Sequence, residues 1–291
     1  MGAETLRSYG GTMTIISDPG QVERILTDPG FRVPEADVAA TGPFDRFRAT
    51  VSRFANGSIH DGRRAQLDAR LTHLNLGALA DAATTRTRRA RALADRTAHD
   101  AAALAAHVAR GVPVASLADM LGFDEADGLA ELVALVADRY ATGVADDPVA
   151  EDAAIERLLA LAPGADAGTR ALEVQLLVQA WAATRAVIES AMRLLASDDH
   201  ARHSTFELLR EALEQDAPVA VTRRVAPSGE LVVLRLDGAD LAFGTGARRC
   251  PAPHHAIVIA TAAVDELRRP LDVRDAVPAE REEGSPDADA D

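Results

Sequence analysis

Cys250 is the only cysteine in this 291-residue chain. It sits in LAFGTGARRCPAPHHAIVIATAAVDEL, residues 241–267, between a pair of glycines and an apolar run of helical period. Pro251 follows it directly, and proline is favoured in the first turn of a helix, so the sequence predicts a helix beginning there with Cys250 at its N-terminal end. Unpaired N–H groups and the helix dipole at such an end favour an anion, which makes a thiolate easier to form. Gly244 and Gly246 let the preceding backbone turn tightly and aim further N–H groups at the sulfur, and Arg248 and Arg249 add positive charge. A thiolate placed this way can serve as nucleophile, redox sensor or metal ligand. A buried inert thiol is the commoner fate of a lone cysteine. A phosphate loop is poorly supported, since GTGARRC lacks both the third glycine of a dinucleotide fingerprint and the GK[ST] of a P-loop.

The elements that must carry this loop follow from periodicity. TMTIISDPGQVERILTDPGF reads as a short strand, a cap at Ser17 or Asp18, Pro19 in the first turn, and an amphipathic helix ending at the second DPG. From about residue 58 to 213 apolar residues recur at three and four spacing, in RAQLDARLTHL, VASLADMLGF and LAELVALVADRY among others, which predicts helix. PVAVTRRVAPSGELVVLRLDG then alternates and is rich in valine, predicting a hairpin around PSGE just before the cysteine loop. The expected fold class is mainly α with a small β region, with no repeat or long linker to divide it.

Composition narrows the function classes. With 47% hydrophobic residues the chain can bury a substantial core. Its formal charge of −14 argues against a nucleic acid or an anionic membrane surface as partner. All basic residues are arginine, which together with abundant alanine reads as coding bias. From Val277 the segment VPAEREEGSPDADAD carries six acids and one arginine, has almost nothing to bury, and is expected to be disordered. No apolar run in the sequence is expected to span a membrane, the N-terminus lacks the pattern of a secretory signal, and one cysteine cannot form an internal disulfide, so a cytoplasmic location is expected.

FGTGARRC resembles the heme-binding signature of the cytochrome P-450 superfamily, Phe-Gly-x-Gly-x-(His/Arg)-x-Cys, with Phe243, Gly244, Gly246, Arg248 and Cys250 at its diagnostic positions. Ala252 stands where that family usually has glycine. Further landmarks occur in order between about residues 12 and 268. SIHDGRRAQLDARL is similar to the segment whose histidine and arginine, here His60 and Arg64, hold a heme propionate. FELLREAL contains a Glu-x-x-Arg pair, Glu207 and Arg210, which also reads as part of a plain capping box with Ser204. VTRRVA resembles the strand whose arginine, here Arg224, meets a propionate. The resemblance implies a shortened cytochrome P-450-like heme-thiolate domain over residues 1–272 with a disordered tail at 273–291. It implies heme b (iron protoporphyrin IX) as cofactor, with Cys250 as metal ligand. It further implies oxidation of a small organic molecule, in biosynthesis, with a ferredoxin-type electron donor or with peroxide.

The sequence also departs from that family. In LEVQLLVQAWAATRAVIESAMRLL the acid and threonine that relay protons to iron-bound dioxygen fall on Ala182 and Ala183, with Thr184 next to them. Thr184, ordered water or the substrate would then have to supply protons. Gln179, one turn earlier, is expected either to face the distal side of the iron or to bind a neighbouring helix, and Trp181 to pack between helices. The loop-rich region normally found between Arg210 and Cys250 is largely absent. These departures favour peroxide-driven oxidation or a redox-neutral rearrangement over classical monooxygenation. A heme-less, noncatalytic partner protein, for example of a glycosyltransferase, is the alternative from another class.

Overall fold

The computed structural model describes residues 3–8, 11–97, 100–200, 202–238 and 240–269. The acidic tail from residue 273 lies outside them. The chain opens with β1 (Ala3–Ser8) and β2 (Gly11–Ile16), then α1 (Pro19–Thr27). Asp18 caps α1 by accepting from Gln21 N–H at 2.9 Å, and Pro19 fills the first turn, where its missing N–H costs nothing. Helices α2 (Pro43–Thr50), α3 (Gly57–Thr72), α4 (Leu76–Thr97), α5 (Ala101–Leu121), α6 (Leu129–Thr142), α7 (Pro148–Leu161), α8 (Ala167–Leu195) and α9 (Thr205–Gln215) follow. β3 (Val221–Val225) and β4 (Leu231–Arg235) form the expected hairpin, and α10 (Pro253–Arg268) comes after the cysteine loop.

The four strands make one mixed sheet in the order β1-β2-β4-β3. Its one parallel pair is β2 with β4, so the opening strands meet the hairpin that precedes the cysteine loop. Central β4 buries Val232, Val233 and Leu234, and α1 lays Val22, Ile25 and Leu26 into the same small core as Ile16, Val232 and Leu234.

The helical part has two larger cores, and α8 runs through both. Residues Ala171 to Val178 pack with α5, α6 and α7 in one; Val187, Ile188 and Ala191 pack with α4, α9 and α10 in the other. Between them the side chains of Gln179, Ala180, Trp181 and Ala183 are only partly buried and Ala182 is exposed. The cysteine loop spans the same two cores: Phe243 packs against the second and Ala252 against the first.

One expectation needs correction here. The 21-residue α5, with a mean hydropathy of 1.3, is by length and composition long and apolar enough to cross a membrane. In this fold Val108, Val112, Val114, Leu117 and Leu121 are buried in the two helical cores, which is reason enough for such a composition.

Candidate functional site

The cysteine loop is shaped by its glycines and closed by its own backbone. Gly244 N–H donates to Leu241 O at 2.8 Å, Arg249 N–H to Gly246 O at 3.1 Å, and Cys250 N–H to Phe243 O at 2.8 Å. Gly244 and Gly246 both lie in the left-handed region, at φ 64° and 69°. Gly246 is doubly constrained, because a Cβ there would fall 2.9 Å from Leu26 O and 3.2 Å from Thr27 Cα at the end of α1. A Cβ on Gly244 would have 4.0 Å to its nearest neighbours.

The helix after the loop begins at Pro253, not Pro251, so Cys250 lies outside its first turn. The sulfur accepts one backbone N–H, from Ala252 at 3.4 Å. Burial pushes the Cys250 thiol up, against the opposing pull of that N–H and of the Arg64 and Arg249 charges. The expected easily formed thiolate is therefore overturned for the protein by itself: desolvation outweighs the helix end. A cation bound at the sulfur would oppose that penalty and favour the thiolate.

Around this loop the fold gathers basic side chains from segments far apart in sequence. His60 is buried on α3, with Nδ1 3.0 Å from Asp61 Oδ1. One turn on, Arg64 donates from Nε to Asp68 Oδ1 (2.8 Å) and from Nη1 to Arg249 O (2.6 Å), tying α3 to the loop. Arg248 donates through Nη2 to Ala55 O at 2.5 Å and Asn56 Oδ1 at 2.9 Å. Asn56 in turn pairs with the backbone of Val33 (3.0 and 2.9 Å), and Arg32 beside it bridges Val225 of β3.

On β3, Arg224 is 5% exposed and donates only to neutral oxygens, Thr222 Oγ1 (3.0 Å) and Arg223 O (2.8 Å). Among the described residues neither Arg224 nor Arg248 has a carboxylate within ion-pair reach. Burial, then the charges of Arg248 and Arg53, lower Arg224 to about 10. Arg248 is lowered by burial, with Asp61 and Glu35 pulling the other way. His60 is lowered too, by burial first and by Arg248 and Arg64 among the lesser causes. A buried cation such as Arg224 without a matching acid, with the half-buried Arg248 near it, is costly alone and is a ready receptacle for an anion.

The middle of α8 is arranged differently. Gln175 is buried; its Oε1 accepts from Ser52 N–H at 2.9 Å, and its Nε2 donates to Ser52 Oγ at 2.8 Å and to Gln179 Oε1 at 3.1 Å. Gln179 is thereby held by its carbonyl, with its amide N–H groups left to donate. Thr184 does not join it. At 2% exposure, it lies on the face of Val187, Ile188 and Ala191, roughly 140° around the helix from Gln179. Its hydroxyl has no hydrogen-bond partner among the described residues. Trp181 packs against the first helical core, with the Arg185 guanidinium 4.5 Å from its ring centroid.

No protein-family model and no curated protein matches the sequence. Solved structures do match the fold. A cytochrome P-450 in complex with acyl carrier protein ligated to hexadec-9Z-enoic acid superposes with a TM-score of 0.69 at 16% identity, covering 87% of this chain and 84% of that one. CalO2 gives 0.71 at 16% identity, over 88% and 83%. A Streptomyces coelicolor protein, CYP154A1, gives 0.64 at 18%, over 91% and 85%. The fold is that of the cytochromes P-450. At these identities the likeness concerns the fold.

Within that fold α9 departs from the expected Glu-x-x-Arg network. Glu207 is exposed and completes a capping box: Ser204 N–H donates to its Oε2 at 2.7 Å, and Ser204 Oγ accepts from its N–H at 3.3 Å. Arg210 is exposed and paired with Glu214 at 3.0 Å, one turn along the same helix. The local capping signal prevails because its partners lie three residues apart and need nothing from the rest of the chain.

Sequence reasoning missed Arg53, Asn56 and the Ser52–Gln175 pair. Arg53 lies seven residues before His60 and outside any motif, and the Ser52–Gln175 contact spans 123 positions. Only the amide in the apolar stretch VQLLV gave a signal for Gln175.

Proposed function

We propose that this chain is a heme-thiolate protein of the cytochrome P-450 type that oxidises a small organic molecule, with residues 1–272 as the working unit. The observation that carries it is the buried Arg224 of β3 and the half-buried Arg248 of the Cys250 loop, neither with a carboxylate in ion-pair reach among the described residues. Heme b offers what these residues lack: two carboxylates for the cations and a metal for the sulfur. Cys250 would take the iron; His60, Arg64, Arg224 and Arg248 the propionates; Phe243, Gly244 and Gly246 would form the loop under the ring. The C–H-oxidising power of such a site comes from the thiolate-bound iron when heme is present.

The chain's own residues then decide how that power is used. Gln179, held through its carbonyl by Gln175, keeps its amide N–H groups to donate and would offer one to a substrate. Ala182 and Ala183 carry no transferable proton, and Thr184 is turned into the core, so this helix has no acid–alcohol pair to protonate bound dioxygen. This supports peroxide as oxidant over dioxygen with a ferredoxin-type donor. The substrate is proposed to be free or presented on a carrier protein. A specific observation favours a second reading, a heme-less partner protein: Glu207 and Arg210 are apart and exposed on α9.

Titration with hemin separates the two. The heme reading expects one heme per chain and turnover faster with peroxide than with dioxygen and a reductase. No uptake leaves the partner reading standing.

A further inference from the structure

Between the end of α8 and the face of α9 that carries Glu211, two imidazoles and a carboxylate converge. His200 ends a short 3₁₀ turn after α8, and His203 follows in the connection to α9. His200 Nε2 lies 3.0 Å from Glu211 Oε1, His203 Nδ1 lies 3.7 Å from Glu211 Oε2, and all three donor atoms fall within 4.8 Å of one another. The edge of a tetrahedron with bonds of about 2.0–2.1 Å is about 3.3 Å, between the first two of those distances.

The surroundings hold these groups in place. The backbone turn is closed by His200 N–H to Ser197 O (3.1 Å) and His203 N–H to His200 O (3.0 Å), and Arg268 of α10 donates to His203 O at 2.6 Å. Ser197 Oγ donates to Leu194 O (2.8 Å) and so can accept from His200 Nδ1 at 2.6 Å, a tautomer that leaves the Nε2 lone pair directed at Glu211. Gln215 Nε2 donates to Glu211 Oε1 at 2.7 Å, fixing the carboxylate. His203 Nδ1 is buried and has no hydrogen-bond partner among the described residues. It is the atom a purely hydrogen-bonded cluster would leave unsatisfied, and the one a metal would use.

We propose that His200, His203 and Glu211 form a zinc site with a fourth position open to water, which fastens the α8–α9 connection to α9. Two imidazoles select zinc over the hard cations calcium and magnesium. Through Glu211 the clamp includes α9, the helix whose Glu207 and Arg210 pair with Ser204 and Glu214, and it is independent of heme.

The test is calorimetric titration of the full-length protein with zinc chloride, together with thermal unfolding. Expected are one equivalent bound and a higher melting temperature with zinc, and no comparable effect of magnesium. His203→Asn and Glu211→Gln should each weaken zinc binding by at least about tenfold, and His73→Ala, on an exposed helix end, should not. Wild-type zinc affinity in folded His203→Asn overturns the site, as does the absence of a one-to-one isotherm in the wild type. Should His203→Asn fail to fold, His200→Gln is read in the same way.

Discussion

Around Cys250, four segments distant in sequence are tied together by polar contacts: α3 through Arg64, the 55–56 turn through Arg248, β3 through Val225 and Arg32, and α1 through its close approach to Gly246. The middle of α8 is tied by one amide chain, Ser52–Gln175–Gln179, and is otherwise lined by small side chains. The loop side is cross-linked through several segments, whereas the middle of α8 rests on that one amide chain. On the proposed function, binding heme and directing its chemistry would fall to different regions.

The largest expected effect is at Gly246. Gly246→Ala combines a left-handed backbone with a 2.9 Å approach to Leu26 O and should cost ~3 kcal/mol in denaturant unfolding, with loss of heme uptake. Gly244→Ala has the same backbone strain but open space, and should cost only ~1 kcal/mol. Equal costs would mean that the α1 contact does not hold the loop.

Next comes Arg224→Met. Removing a buried, unmatched cation should leave the heme-free protein as stable as wild type or ~1 kcal/mol more so, while heme affinity falls at least about tenfold. A variant that loses stability and keeps heme would break the distinction between the two regions.

A smaller effect concerns pH. Burial first, and nearby arginines among the lesser causes, hold His60 below the ordinary imidazole range, so the unfolded chain binds its proton more readily than the folded one. Stability from this group is present above that range and is lost as pH falls through it. His60→Gln should flatten this acid-side loss in the heme-free protein, measured by unfolding across that range; an unchanged slope would place the responsible group elsewhere.

The smallest effects belong to α8 and α9. Thr184→Val removes a hydroxyl without a partner, and should change stability by no more than ~1 kcal/mol and leave turnover unchanged. Arg210→Ala should stay within about 0.5 kcal/mol of wild type, as an exposed pair on one helix allows.

What could be read from the sequence divides along the same line. The cysteine loop was legible because its glycines answer to backbone geometry, and the opening β2–α1 unit because Asp18 and Pro19 are local signals. His60, Arg64, Arg224 and Arg248 could be picked out one by one, but that two of them lack acids depends on the packing of four segments and appears only in three dimensions. Thr184 was misplaced because each residue step turns a helix by about 100°, so a register fixed from flanking apolar residues does not fix a face. At α9 two local readings competed, and the capping box prevailed because its partners are three residues apart and need nothing from the rest of the chain.

The most direct test of the account is the ferrous carbon monoxide spectrum of the wild type beside Cys250→Ala, both purified with heme available. The account predicts the long-wavelength band of thiolate ligation in the wild type and its loss in the variant. The same band in Cys250→Ala, or none in a heme-loaded wild type, would contradict it.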